Sequence, residues 1–285
     1  MEKYNGIVIA LKANYLIVEI EYKQIISKID LTNDVKQPIR ILCTRRKKLD
    51  HSGAFISVGD YVIVEAINWE SLRGIISARK TRLSWLKRPS VANVTDIFVF
   101  ISVEEPSFDP DQTSRFLLTA EKTELNITLV LTKIDLVSQN QSILFKQRLT
   151  KWGYNVLPIS VKKHIGVDLL INKLNNSKLS VLCGPSGVGK TSFINYLFDN
   201  ISLPVKSVSR KIKRGKNTTR HVELFSLDNG SLVADTPGFN RPEINSSPSD
   251  FALLFPEIRS QLTLNSCKFR NCLHRDEPGC LIDKN

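Results

Sequence analysis

The fold is decided by the stretch Gly184-Pro185-Ser186-Gly187-Val188-Gly189-Lys190-Thr191, which matches the phosphate-loop pattern G-x-x-x-x-G-K-[ST] at every position. It follows an apolar, strand-like run over 179–183 and precedes a predicted helix over 192–199. Glycines let backbone N–H groups face a phosphate at the positive end of that helix. Lys190 supplies charge to the β- and γ-phosphates, and the Thr191 hydroxyl is a ligand for Mg²⁺. We therefore predict that residues 184–191, together with Ser192, bind the phosphates of a nucleotide.

Upstream of this loop, continuous apolar runs alternate with helical patterns. Such runs are typical of strands that are buried on both faces of a parallel sheet. The alternation predicts a doubly wound α/β domain. The strand-like runs cover 96–101, 127–131, 155–159 and 179–183, and the helical patterns lie near 116–125, 142–152 and 166–174.

A guanine-binding pattern ends one of these runs. Thr132-Lys133-Ile134-Asp135 fits [NT]-K-x-D, in which the aspartate accepts hydrogen bonds from guanine N1–H and N2–H₂ while the lysine stem covers the base. Ser160-Val161-Lys162 follows the next run, and a backbone N–H there can close over guanine O6. Because the carboxyl ends of parallel strands meet at one edge of a sheet, these motifs and the phosphate loop predict a GTP site at that edge.

A fourth motif predicts a residue that helps to hold Mg²⁺. Asp235-Thr236-Pro237-Gly238 has the form D-x-x-G and follows a predicted hairpin over 222–230 with Asn-Gly at its turn. Asp235 is expected to hold Mg²⁺ through water, and the Gly238 N–H to sense a γ-phosphate. The guanine motif precedes the phosphate loop by 49 residues, from Asp135 to Gly184, which reverses the usual order. We interpret the domain as a circularly permuted GTPase, since permutation preserves a sheet when the old termini lie close together.

The first 70 residues predict a small barrel. Short runs rich in branched and aromatic residues are separated by Gly, Asn and Asp, which is typical of strands and turns. The runs cover 6–9, 15–20, 39–42 and 61–65. A basic barrel of this kind resembles an oligonucleotide-binding (OB-like) one.

Basic residues are concentrated in stretches without acids. The chain has 40 Lys and Arg against 28 Asp and Glu, a net charge of +12 that fits a polyanionic partner. Segments 71–95, 206–220 and 40–48 are basic and contain no acid. A solvated face explains one such cluster, but three favour an extended phosphate-contacting surface. The predicted RNA-binding residues are Arg45, Arg46, Lys47, Arg79, Arg82, Arg210, Lys211, Lys213 and Arg214.

The last part of the chain carries a cluster with the spacing C-x4-C-x-H-x5-C. Three thiolates and one imidazole form a tetrahedral zinc set. In a segment this short and poor in apolar residues a metal replaces a core, so we expect one structural Zn²⁺ ion. Unrelated reduced thiols are the alternative. The predicted ligands are Cys267, Cys272, His274 and Cys280.

Several classes of protein are disfavoured. No run approaches 18 uninterrupted apolar residues, and the first ten residues lack a basic-then-apolar leader. We therefore expect no membrane partner and a cytoplasmic location. Three of the five cysteines lie in the last 19 residues, which does not fit a disulfide scaffold.

The permuted guanine motifs, the N-terminal barrel and the C-terminal Cys/His module together resemble the ribosome small-subunit-dependent GTPase A family (RsgA/YjeQ). The resemblance covers essentially the whole chain, including Arg88-Pro89 and Val91-Ala92-Asn93-Val94 between barrel and GTPase domain. It implies hydrolysis of GTP to GDP stimulated by the small ribosomal subunit, binding to its rRNA, and a role in late subunit maturation. We expect a monomer.

The resemblance also identifies 215–220 as the first switch segment, with Thr219 (or Thr218) meeting Mg²⁺ and the γ-phosphate. Lys190, Thr219 and Gly238 are then the residues expected to act in catalysis. Asn217 stands where the family usually has a histidine that is a candidate for positioning the attacking water.

Two further residues depart from common patterns. Thr132 replaces the commoner Asn and is expected to lose one side-chain hydrogen bond. Phe239 follows D-x-x-G where many GTPases have a water-orienting Gln, so unaided hydrolysis should be slow. We expect the ribosome to order the switch segments and complete the site.

The expected architecture is an OB-like barrel over 1–80, a circularly permuted GTPase domain over 81–242 and a zinc-binding domain over 243–285. Two other functions remain open at this stage. A nucleotide kinase of guanylate kinase type shares the phosphate loop but has no reason to carry D-x-x-G or T-K-x-D. A GTP-binding RNA scaffold without significant hydrolysis fits Asn217 and Phe239.

Overall fold

The computed structural model describes residues 2–12, 15–20, 38–46, 55–200, 222–235, 246–263, 265–275 and 277–282. Its Cα positions form two compact units. The first comprises Met1–Thr95, Leu174–Val181 and Phe198–Phe239. The second comprises Asp96–Lys173, Leu182–Leu197 and Asn240–Asn285.

A five-stranded barrel dominates the first unit. The order is β1-β2-β3-β5-β4, and β4 pairs back with β1, which closes the barrel. All neighbours are antiparallel except β3 and β5, which are parallel. Alternate side chains point inward, as expected for a small barrel. The strands are β1 (Lys3–Lys12), β2 (Tyr15–Ile20), β3 (Ile39–Arg45), β4 (Tyr61–Asn68) and β5 (Arg73–Arg79).

The strand β5 was not predicted, because its sequence begins with Arg73 and Gly74 and hides the branched residues behind them. The glycine is required by packing. A Cβ at Gly74 would lie 2.8 Å from the Val64 side chain of the neighbouring strand. Ile76, two residues on, is fully buried in the barrel core.

The first unit also contains two short hairpins. One is β6 (Trp85–Leu86) with β7 (Val91–Ala92). The other, at the predicted position, is β12 (Glu223–Ser226) with β13 (Leu232–Asp235), and the Asn229 side chain accepts the Ser231 N–H at 3.0 Å in its turn. β12 pairs with β1 of the barrel at Glu223 and Ala10.

The second unit contains the parallel sheet that was predicted. β8 (Asp96–Ser102) pairs with β9 (Asn126–Thr132), and β9 with β10 (Asn155–Pro158). β11 (Leu179–Cys183) begins in the first unit and ends in the second. The helices between the strands are α1 (Pro110–Glu121), α2 (Gln139–Lys151), α3 (Val167–Asn175) and, after the phosphate loop, α4 (Lys190–Asn200).

Local chemistry explains where these helices begin. The Asp109 side chain accepts the Gln112 N–H at 3.0 Å, and Pro110 occupies the first turn of α1, where it costs no hydrogen bond. Ser138 and Gln141 form a reciprocal capping box at the start of α2. In the core, the Phe100 ring of β8 lies 5.7 Å from the Phe193 ring of α4.

The chain continues with α5 (Pro248–Ala252) and α6 (Pro256–Leu262) before the Cys/His cluster. Gly153 leaves room for this segment, since a Cβ there would lie 2.7 Å from Pro256. Arg259 of α6 forms a 2.6 Å ion pair with Glu121 of α1. Among the described residues, no helix combines the length and apolar character needed to cross a bilayer.

Candidate functional site

The phosphate loop leaves β11 through a glycine that no other residue can replace. Gly184 has φ +130°, and a Cβ on it would lie 2.1 Å from the Phe100 carbonyl oxygen of β8. Gly187 and Gly189 also have positive φ, +81° and +96°, which L side chains rarely adopt. The loop then enters α4, where the Phe193 N–H donates to the Gly189 carbonyl at 3.0 Å.

Lys190 lies across this loop. Its Nζ donates to the carbonyl oxygens of Gly184 at 2.6 Å and Pro185 at 2.5 Å. Burial lowers the pKa of Lys190 to about 8, against a weaker opposing effect of Cys183. Two carbonyl acceptors thus hold the amine at the loop without compensating its full charge. An anionic phosphate would compensate that charge.

Thr132 connects the end of β9 to the phosphate loop. Its buried hydroxyl lies 2.6 Å from the Val188 carbonyl and 2.9 Å from the Ile101 carbonyl of β8. A hydroxyl has one hydrogen to donate, so these two acceptors share it. The threonine therefore still ties the guanine motif to the phosphate loop.

The rest of the guanine motif forms a tight turn. Lys133 has φ +57° and precedes the 3-10 turn Ile134–Leu136, and its Nζ donates to the Glu105 carbonyl. Asp135 accepts the Ser160 hydroxyl at 2.5 Å. One oxygen of the carboxylate is thereby oriented.

Ser160 also shapes the loop that was predicted to cover guanine O6. Its Oγ accepts the Lys163 N–H at 3.1 Å, and its backbone pairs with Ile165 in an isolated bridge that closes the turn over Val161 and Lys162. The structure thus brings together three of the predicted motifs within the second unit. Sequence reasoning assigned Ser160 to the nucleotide without foreseeing its bond to Asp135.

The magnesium and switch residues are only partly described. Thr191 lies in the first turn of α4, next to Lys190. Asp235 ends β13, where its backbone pairs with Glu223. Several predicted residues lie outside the described part of the chain: Lys47, Arg210, Lys211, Lys213, Arg214, Thr219 and Gly238.

The four predicted zinc ligands converge. Their ligand atoms all lie within 4.8 Å of one another. The His274 Nδ1 lies 3.6, 3.7 and 3.5 Å from the sulfurs of Cys267, Cys272 and Cys280. Zinc bonds of about 2.3 Å to sulfur and about 2.0 Å to nitrogen, at tetrahedral angles, separate S and N by about 3.5 Å. The donor set and its spacing fit Zn²⁺.

Sequence reasoning missed a carboxylate that supports this cluster. Glu277 accepts the backbone N–H of Leu273 at 2.8 Å and of Arg275 at 2.5 Å, on either side of His274. The first of these bonds is the main reason why the pKa of Glu277 is lowered. The Leu281 N–H points at the Cys267 sulfur at 3.3 Å. Such contacts orient metal ligands, but nothing in the spacing of the cluster marks them.

Some of the basic residues predicted to bind RNA already have acidic partners. Arg46 lies 3.3 Å from Glu65. Arg82 forms a two-pronged pair with the fully buried Asp60, both distances being 2.7 Å, and Arg79 lies 3.8 Å from the same carboxylate. Charge counted along the sequence does not distinguish such paired residues from ones that face solvent alone.

The chain is similar to known proteins along nearly its whole length. A family model described as RsgA GTPase matches residues 76–245. The small ribosomal subunit biogenesis GTPase RsgA of Prochlorococcus marinus strain NATL2A is 57% identical over 99% of this chain and 90% of that protein. The protein of the same name from Synechococcus sp. strain CC9311 is 48% identical over 98% and 89% of the two chains.

Two solved structures share the fold. YjeQ from Thermotoga maritima has a TM-score of 0.77 and 28% identity, covering 98% of this chain and 89% of that one. YloQ, described as a circularly permuted GTPase, has a TM-score of 0.73 and 30% identity, covering 98% and 86%. With the family model over more than half of the chain and relatives of this identity over nearly its whole length, the chain belongs to the RsgA GTPase family.

Proposed function

We propose that this GTPase binds the small ribosomal subunit and its rRNA, hydrolyses GTP to GDP and phosphate with stimulation by that subunit, and acts in late subunit maturation. The observation that carries the proposal is the bond from Thr132 to Val188, which joins a guanine motif to a phosphate loop. The relatives named for small-subunit biogenesis support the choice of partner.

Guanine recognition is assigned to Asp135, with Lys133 against the base and 160–162 near its O6. The Ser160 hydroxyl holds one Asp135 oxygen, so the carboxylate is pre-oriented before guanine arrives. Pre-orientation lowers the entropy cost of binding. Adenine lacks the N1–H and N2–H₂ donors, so the same carboxylate disfavours ATP.

Phosphate binding is assigned to residues 184–192, with Lys190 on the β- and γ-phosphates. Mg²⁺ would be held by Thr191, Thr219 and, through water, Asp235, and would neutralise charge that develops on the phosphates. The Gly238 N–H is assigned to the γ-phosphate. Phe239 supplies no hydrogen bond to a water, which supports dependence on the ribosome for efficient hydrolysis.

The Cys/His cluster is proposed to hold one structural Zn²⁺ through Cys267, Cys272, His274 and Cys280. The proposed boundaries are 1–80 for the RNA-binding barrel, 81–242 for the GTPase domain and 243–285 for the zinc domain. We place the protein in the cytoplasm as a monomer, with the basic residues forming its rRNA footprint.

Phosphate release from GTP, measured with and without purified small subunits over a range of salt concentrations, tests this function. We expect strong stimulation that weakens as salt rises, because phosphate contacts are salt-sensitive. Lys190→Ala should abolish nucleotide binding or turnover while leaving the barrel folded.

Equal rates with and without subunits would contradict the proposal. Subunit binding without any phosphate release would indicate a GTP-binding scaffold, and phosphate transfer to GMP would indicate a nucleotide kinase.

A further inference from the structure

Two exposed aromatic side chains of the first unit, Phe55 and Trp85, lie side by side. Their ring centroids lie 5.0 Å apart at an interplanar angle of 53°. Phe55 is 46% exposed and Trp85 is 38% exposed. Isolated exposed apolar residues are ordinary on protein surfaces. These two are different because they are paired and fixed by the groups around them.

The fixing group is a cation. The Arg82 guanidinium lies 4.4 Å from the Phe55 ring centroid and 5.3 Å from that of Trp85, close enough for cation–π attraction to both. It also donates to the Phe55 carbonyl at 3.1 Å. Asp60 holds it in the two-pronged pair described above. The Arg82 side chain is only 12% exposed, so its guanidinium contacts the rings and is largely shielded from solvent.

The hairpin that carries Trp85 is itself anchored. The buried Asn93 side chain donates to the Gly59 carbonyl at 2.9 Å and accepts the Leu83 N–H at 2.9 Å. The Trp85 indole N–H points at the Ser90 hydroxyl at 3.4 Å. The Phe55–Trp85 pair is therefore a rigid surface, and little entropy is lost when a flat ligand stacks on it.

The charge around the pair selects the ligand. Segment 71–95 has six basic residues and no acid, and Lys80 and Lys87 on either side of Trp85 are exposed. Asp60, which pairs with Arg82 behind the rings, is fully buried. Trp85 thus lies in a basic, acid-free stretch, and an aromatic pair beside exposed lysines matches single-stranded nucleic acid, whose bases stack while its phosphates contact lysines.

We propose that Phe55 and Trp85 form a stacking platform for an unpaired base of single-stranded RNA, with Arg82 as the support beneath the rings. This rests on the proposed RNA-binding function and adds a base contact, made by aromatic residues, to the phosphate contacts predicted for the basic residues. Lys80 and Lys87 meet the flanking phosphates.

The test uses the full chain and a uridine-rich RNA of about 12 nucleotides, the size that one such barrel covers, with a central 2-aminopurine. Stacking quenches the fluorescence of this base. We expect quenching by the wild-type protein. Trp85→Leu and Phe55→Leu, which keep apolar bulk but remove the ring, should weaken binding roughly tenfold to a hundredfold and abolish most quenching.

Matched variants separate the contributions. Trp85→Phe keeps a ring and should retain much of the quenching, which guards against a misfolded leucine variant. Tyr15→Leu removes another exposed aromatic residue of the barrel and should bind as wild type. Lys87→Ala should weaken binding and reduce the salt slope by about one while leaving the quenching amplitude unchanged.

Normal quenching by Trp85→Leu, or none by the wild-type protein, would overturn the platform. Leucine variants that keep full affinity for the RNA would also overturn it, and a loss of small-subunit affinity in those same variants would show that the patch docks on protein instead. GTPase stimulation by small subunits, measured on the same wild-type preparation, reports separately on the proposed function. Stimulation without quenching would refute the platform alone.

Discussion

At the scale of single residues, the charge of Lys190 is linked to nucleotide binding. Its pKa is about 8 in the folded protein, against 10.5 for an unperturbed lysine. The folded state therefore binds fewer protons than the unfolded state between these values. By linkage, the stability of the nucleotide-free protein should rise with pH across this window.

The phosphates of a bound nucleotide beside Lys190 should raise the pKa of Lys190, so that its amine takes up a proton. At pH 9 we expect GDP binding to take up close to one proton, whereas at pH 7 Lys190 is already charged and takes up none. Titration calorimetry in buffers with different ionisation enthalpies measures this uptake. Identical proton counts at the two pH values would contradict the assignment.

Arg82 illustrates a second residue-scale effect. Arg82→Ala would leave the buried Asp60 with the Ser57 N–H and, among the cations that pair with it here, the more distant Arg79, and we expect the free energy of unfolding to fall by about 3 kcal/mol. Urea unfolding followed by circular dichroism is the measurement. Lys80→Ala, a nearby exposed lysine, is the control and should change stability by less than about 0.5 kcal/mol. Equal effects of the two variants would show that the buried pair is unimportant.

At the scale of elements, the helices, strands and loops that could be predicted are those with a recognisable local sequence pattern. The phosphate loop could be predicted from its motif. The strands β8, β9 and β11 could be predicted because a strand that is buried on both faces is apolar throughout. Glu277 and Asp60 could not be predicted, because no sequence pattern marks either acid. Glu277 accepts two nearby backbone N–H groups, and Asp60 pairs with Arg82, which is distant in sequence. The nucleotide motifs were predicted to share a sheet edge, but the bonds Thr132–Val188 and Asp135–Ser160 required coordinates.

The Cys/His cluster, with its proposed Zn²⁺, leads to a prediction about the reactivity of the five thiols. Cys43 and Cys183 are buried, and burial raises the pKa of each thiol to about 12, so neither should react in the folded protein. Removal of Zn²⁺ by a chelator should expose the three thiols of the cluster, and the other two should react only after unfolding.

A chromogenic disulfide reagent counts these thiols before and after chelation. A thiol count that chelation leaves unchanged would argue against a metal at the cluster. Reaction of Cys43 or Cys183 in the folded state would show that these strands open more easily than their burial implies.

At the scale of the whole molecule, one chain segment connects the predicted switch loop to the barrel. The loop is predicted to end at Arg220, and β12 begins at Glu223. In β12, the Ser226 hydroxyl donates to Glu19 of β2 at 2.6 Å, and Glu19 also pairs with Arg40 of β3 at 3.3 Å. A change in the loop therefore has a hydrogen-bonded route to the barrel.

We expect small-subunit affinity to differ by about fivefold or more between GDP and a non-hydrolysable GTP analogue. Glu19→Gln should reduce this difference without changing nucleotide affinity, because it weakens the contact to Ser226 but leaves the nucleotide site intact. Co-sedimentation with small subunits measures both. Equal affinity with the two nucleotides would refute the coupling, and a normal difference in Glu19→Gln would refute this route.

The hydrogen bond between Ser226 and Glu19 also affects the stability of the barrel when it is produced as a separate fragment. A fragment that stops at residue 80 or 95 keeps the carboxylate of Glu19, which is buried, but loses the hydroxyl that satisfies one of its oxygens. It also loses the strand that pairs with Ala10. The excised barrel should therefore have a lower free energy of unfolding than the same residues have in the intact chain. It would be a poor RNA-binding module for separate study.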